Sequence, residues 1–130
     1  MRKFLRLQNI RAIDVEGMYN GMPGDWVCHI SIGYAGSTQI ELVQHVSGSS
    51  VYADWIRERG SAVQHVAYVV EESEFEAASD RLTAGGYRAV QTANTRIGRF
   101  AYFDTSARIG VLTELIALNA TGRGLFRDLQ

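Results

Sequence analysis

Apolar and polar residues alternate over short stretches, and turn signals separate those stretches, so the chain reads as a run of strands interrupted by two helices. "QNIRAIDVEG" (8–17) predicts a strand, closed by a "YNGMPGD" turn that holds the only proline, Pro23. "WVCHISIGYAG" (26–36) puts Trp26, Cys28, Ile30, Ile32 and Tyr34 on one face and Val27, His29, Ser31 and Gly33 on the other. In "TQIELVQHV" (38–46), Ile40 and Leu42 share one face and Glu41, Val43 and His45 the opposite one. Short turns between these three strands predict an antiparallel meander. "SGSSVYADWIRERG" (47–60) predicts a helix with Ser50 as N-cap, Tyr52, Trp55 and Ile56 as its apolar stripe, and Gly60 as its stop. "AVQHVAYVV" (62–70) has the pattern of a buried strand, with His65 set among valines and alanines. "SEFEAASDRLTAGG" (73–86) predicts a second helix with a Ser73/Glu76 capping box, an apolar face of Phe75, Ala78 and Leu82, and a Gly85-Gly86 stop. Strands "YRAVQTANT", "GRFAYFDTS" and "GVLTELIAL" follow, and the tail "NATGRGLFRDLQ" is expected to form one helical turn through Leu125, Phe126 and Leu129.

Composition narrows the function classes. At 130 residues and 14.4 kDa, the length predicts one domain able to bury a core without staples. A net charge of -1 offers no electrostatic footprint for nucleic acid or an anionic membrane. Cys28 is the only cysteine, so no intrachain disulfide can form and a reducing compartment is the simpler expectation. "MRKFLRLQNI" lacks the apolar run of a signal peptide, and no stretch has the length of a membrane span. The expected location is therefore the cytoplasm.

An internal repeat organises these elements. Residues 63–118 read strand, helix, strand, strand, strand, whereas residues 7–46 read strand, strand, strand. The last strand of each block carries a glutamate between apolar neighbours, in "IEL" (40–42) and "TEL" (113–115). His65 precedes Glu114 by 49 positions, and counting the same distance back from Glu41 ends before residue 1. The first block therefore matches the second without its opening strand and helix.

The βαβββ pairing, "HVAYVV" as opening strand, "GRFAYFDT" before the final strand and "LTELI" within it resemble the vicinal oxygen chelate superfamily. This superfamily includes glyoxalase I, methylmalonyl-CoA epimerase, extradiol dioxygenases and the bleomycin and fosfomycin resistance proteins. The resemblance is closest to its glyoxalase-like and epimerase-like branch. It implies an α+β fold of paired βαβββ modules around a divalent metal, with the first module (1–46) reduced to three strands. Residues 47–62 would then be a connecting helix, 63–118 the complete second module and 119–130 a tail. Matched position by position, the implied metal ligands are Glu41, His65 and Glu114. The first module's opening-strand ligand has no counterpart, and Gln64 stands where many close relatives carry a second histidine.

Imidazole and carboxylates together suit Zn²⁺, Mn²⁺, Co²⁺, Ni²⁺ or Fe²⁺. Such an ion polarises a carbonyl and stabilises the enediolate left when a neighbouring C–H loses its proton, with Glu41 or Glu114 as the proton-transfer group. Structural alternatives accompany each residue. Glu41 suits the polar side of a half-exposed strand, and a lone strand histidine is commonly structural. Glu114, flanked by apolar residues in "VLTELIAL", would be costly to bury without a partner. His45 shares a face with Glu41, and Arg99 and Tyr102 lie on a strand that borders the pocket by resemblance, which makes these three the candidate substrate-binding residues. Strand parity lets only one of Arg99 and Tyr102 point inward unless a bulge intervenes. The leading expectation is a glyoxalase- or epimerase-type enzyme acting on a small carbonyl or thioester substrate, assembled as a homodimer and partly empty of metal when purified. The alternatives are a non-catalytic, resistance-type binding module with aromatic faces (Trp26, Tyr34, Tyr68, Tyr102), and a shortened form of a longer enzyme.

Overall fold

The computed structural model describes residues 3–130. Two sheets and four α-helices make up an α+β fold. The first sheet is antiparallel, with strands β1 (Phe4–Arg11), β4 (Val27–Ala35) and β5 (Thr38–Ser47) in the order β1-β4-β5. Between β1 and β4, the short strands β2 (Met18–Tyr19) and β3 (Met22–Pro23) cross to the second sheet. That sheet has the order β3-β2-β7-β8-β9-β6, with β6 at His65–Val69, β7 at Ala89–Asn94, β8 at Gly98–Phe103 and β9 at Leu112–Leu118. Its β6-β9 pair is parallel and its other pairs are antiparallel, as a βαβββ module requires.

The helices are α1 (Val51–Arg59), α2 (Phe75–Ala84), α3 (Ser106–Ile109) and α4 (Ala120–Leu129). Helix α2 covers the outer face of the second sheet, where Phe75 and Ala78 pack on Ala101, Phe103, Leu115 and Ala117. Between the sheets, Trp26 and Cys28 meet Tyr52 and Trp55 of α1 and Tyr102 of β8. At the other end Ile32 meets Ile116, Leu118 and Phe126 of α4. Every residue of β9 is buried, because β9 has strands on both sides, α2 on one face and the first sheet's core on the other.

Several elements differ from the sequence expectation, each for a local reason. The predicted strand 8–17 is instead β1, from Phe4, followed by a 3-10 turn at Ala12–Val15. A bulge at Asn9 (φ 54°) shifts the register there, and the Ala12 amide bonds to the Trp26 carbonyl. The "YNGMPGD" turn is a small hairpin around Asn20-Gly21, whose positive φ angles of 51° and 80° fit the dipeptide. Val51, not Ile56, completes the buried stripe of α1. The Ser73/Glu76 capping box does not form, because a 3-10 turn at Glu72–Glu74 runs straight into α2 and leaves no extended N-cap residue. Strand β6, expected to be buried, is an edge strand with Val66, Tyr68 and Val69 exposed. The tail forms α4, capped by Asn119 Oδ1 on the Gly122 amide.

Candidate metal centre

Three strands from the two sheets bring Glu41, His65 and Glu114 together. Glu41 lies on the inner face of β5, which alternation separates from the outward Ile40 and Leu42. His65 opens β6, and Glu114 sits midway along β9, opposite Ala67. His65 Nε2 lies 3.3 Å from Glu41 Oε1 and 3.5 Å from Glu114 Oε1. One donor atom from each residue falls within 4.8 Å of the other two.

The electrostatics of this cluster suit a cation. Glu41 Oε1 is buried and accepts no hydrogen bond, so it is an orphaned buried acceptor aimed at the same point as the other two groups. Burial first, and the Glu41 charge second, push the Glu114 carboxyl well above the ordinary carboxylate range, while the nearby Tyr102 hydroxyl opposes them. Burial, then Glu41, also pushes the Cys28 thiol up to about 11. The Tyr52 hydroxyl donates to Tyr102 at 3.0 Å, and burial raises both phenols well above their usual value. A divalent ion would supply what these groups lack: it satisfies Glu41 Oε1, offsets two neighbouring carboxylates and accepts the imidazole nitrogen. Three protein ligands leave positions open for water or substrate.

Glu41 and Glu114 line a cavity of about 400 Å³ between the sheets, within the usual range for small-molecule pockets, whereas His65 is not among its lining residues. Glu41, Glu114, Gln91 and Tyr102 sit among polar groups, Arg11 and Arg96 included, in a mainly apolar wall that includes Trp26, Ile30, Phe100 and Ile116. Phe126 and Leu125 of α4 close part of it.

The other sequence-selected residues are placed differently. Tyr102 faces the cavity and sets its ring edge-on to His65, at a centroid distance of 5.1 Å. Arg99 does not reach the cavity. Strand parity turns it to the outer face, where it pairs with Glu76 at 2.6 Å and lies over the Phe75 ring. His45 is on the Glu41 side of β5, but its Nδ1 sits 3.1 Å from the Ser50 hydroxyl at the start of α1, and it does not line the cavity. Tyr52, read from its helical spacing as core, lines the cavity as well as packing in the core. Gln91 carried no chemical signal beyond being a polar residue in an apolar strand, yet it is almost fully buried at the cavity wall.

No helix among the described residues is long and apolar enough to cross a membrane. No curated protein matches the chain. A family model described as the Glyoxalase/Bleomycin resistance protein/Dioxygenase superfamily matches residues 4–103, well over half of the sequence. With paired sheets, a complete βαβββ module in the second half and this match, the chain belongs to the glyoxalase/bleomycin resistance protein/dioxygenase superfamily, the vicinal oxygen chelate proteins.

Proposed function

We propose that the chain is a metal-dependent enzyme of the glyoxalase or epimerase type, acting on a small carbonyl or thioester compound by proton transfer beside the carbonyl. The observation that carries this reading is the convergence of Glu41, His65 and Glu114 beside a mainly apolar cavity that the two glutamates line, with a buried carboxylate oxygen left without a donor. A divalent ion held by these three residues would supply Lewis acidity toward a substrate carbonyl oxygen. The chain's own groups supply the rest. Glu114, whose proton affinity burial raises, serves as the proton-transfer group, with Tyr102 paired beside it on the neighbouring strand. Tyr52 donates to Tyr102 and so holds that phenol in place. Trp26, Phe100 and Phe126 keep the apolar part of a ligand in contact and water out.

Zn²⁺, Mn²⁺, Co²⁺ or Ni²⁺ should each be tested for a rise in melting temperature by ligand linkage. At least one of these ions is expected to raise it in the wild type. His65→Ala and Glu114→Ala should abolish the shift, and His29→Ala, whose Nδ1 accepts the Asn9 amide away from the cluster, should retain it. The loaded protein should then exchange the α-proton of an acyl thioester, or of a hemithioacetal, with D2O, and Glu114→Gln should not. The apolar wall favours a second reading, a resistance-type module that sequesters an aromatic ligand. Ligand binding with no metal-dependent shift and no exchange would establish that reading over the enzyme.

A further inference from the structure

We propose that Gln64 is a positioning residue that holds His65 in the tautomer protonated on Nδ1, leaving the Nε2 lone pair directed at Glu41 and Glu114. The purpose of this arrangement rests on the metal-centre reading; the hydrogen bonds behind it do not.

Gln64 Nε2 donates to the Val51 carbonyl at 3.1 Å. A carbonyl only accepts, so the NH₂ group must occupy that side of the amide and Oε1 the other. Oε1 lies 2.9 Å from His65 Nδ1, and an amide oxygen also only accepts. The proton between them therefore belongs to Nδ1, and in the neutral ring Nε2 is bare. The other end of this chain is equally fixed. Val51 opens α1, and its amide donates to the buried Gln91 Oε1 at 2.9 Å, tying the helix start to β7. Tyr102 stands edge-on to the imidazole and limits its rotation.

This selection opposes the local preference of the three clustered residues by themselves. With Glu41 and Glu114 oxygens 3.3 and 3.5 Å from Nε2, a neutral histidine left to itself would protonate Nε2 and donate to a carboxylate. That proton would block the atom a metal needs. Gln64 therefore keeps the ring ready for metal at the expense of a hydrogen bond, the role outer-shell acceptors perform for ligand histidines.

The test is the tautomer of His65 in the metal-free full chain, read by long-range ¹H–¹⁵N correlation NMR at a pH where the ring nitrogens show the shifts of a neutral imidazole. The wild type should show the Nδ1–H form. Gln64→Met, which keeps the volume and removes the amide, should shift His65 to the Nε2–H form, and Gln64→Glu, whose carboxylate still accepts, should restore Nδ1–H. In parallel, calorimetric titration with Zn²⁺ should show Gln64→Met weaker than wild type by about 10- to 100-fold. A wild type in the Nε2–H form, or a tautomer unmoved in Gln64→Met, overturns the inference. So does a Zn²⁺ affinity unchanged in Gln64→Met when the wild type binds the ion. Tautomers as expected in a wild type that binds no metal would uphold the positioning and dismiss the metal centre.

Discussion

Glu114 was the most legible residue of the candidate site, because a carboxylate inside "VLTELIAL" has no cheap place to sit unless something nearby receives it. His65 was legible only through the repeat. Its strand is not the apolar interior its sequence implied, and the ring is polar because it faces two carboxylates. Parity separated Tyr102 from Arg99 in principle, but assigning the inward one needed the sheet's orientation, which the ion pair of Arg99 with Glu76 reveals. The raised Glu114 carboxyl has a consequence for the metal-free chain. Its folded pKa exceeds the unfolded value, so the folded state holds more protons above about pH 4.5. Stability from this group is then full below that pH and is lost as pH rises through the folded pKa. Denaturant midpoints between pH 5 and 8 should fall in wild type more steeply than in Glu114→Gln, which should be the more stable form at pH 8. Saturating metal should reverse the order, because the bound ion favours the ionised carboxylate.

Elements were most legible where one strong local signal sufficed. Ser50 caps α1 by accepting the Ala53 amide, and Gly60 and Gly85 end their helices where glycine was expected to do so. Helix α4 shows the opposite case. Gly122 and Gly124 each weaken helix formation, so the tail's own propensity argued for little more than one turn. Tertiary contacts override that: Phe126 enters the core with Ile32, Ile116 and Leu118, and Asn119 caps the first turn. Gly122 is also required for the approach, since a Cβ there would lie 2.2 Å from the Ile97 carbonyl oxygen. If packing rather than propensity makes this helix, Phe126→Ala should cost about 3–5 kcal/mol in urea denaturation, whereas Asn119→Ala should cost about 1 kcal/mol. Equal losses would contradict that account. Phe126→Ala also enlarges the cavity at the end α4 closes, so an apolar dye should bind it more tightly than it binds the wild type.

Across the whole molecule, the repeat predicted the pairing of two sheets and the convergence of Glu41, His65 and Glu114 better than it predicted any single boundary. Two glutamates at matched places in the blocks end up facing one histidine, an outcome no local pattern specifies. The two halves differ in how their sheets are covered. The second sheet has α2 on its outer face, and β6 closes its β9 side. Among the described residues, the first sheet has neither: β5 pairs only with β4, and Phe4, Ile40, Leu42 and Val46 are all exposed. In the strand register, Phe4, Gly33 and Ile40 align across the three strands, with Leu42 in the next outward row of β5, so these side chains share one side of the sheet. A strand edge with free backbone groups beside exposed apolar residues invites pairing with another chain. The expected outcome is a two-fold homodimer with residues 1–46 at or near its interface, detected as twice the 14.4 kDa chain mass by light scattering at tens of micromolar. Leu42 is 59% exposed, so Leu42→Lys should leave the fold intact while placing like charges on both sides of a symmetric contact. Its dimer should dissociate at concentrations where the wild type remains paired, and Tyr68→Lys, on the second sheet's edge, should leave the mass unchanged. A wild type of monomer mass would dismiss this assembly, and loss of the dimer in Tyr68→Lys instead of Leu42→Lys would move the interface to β6.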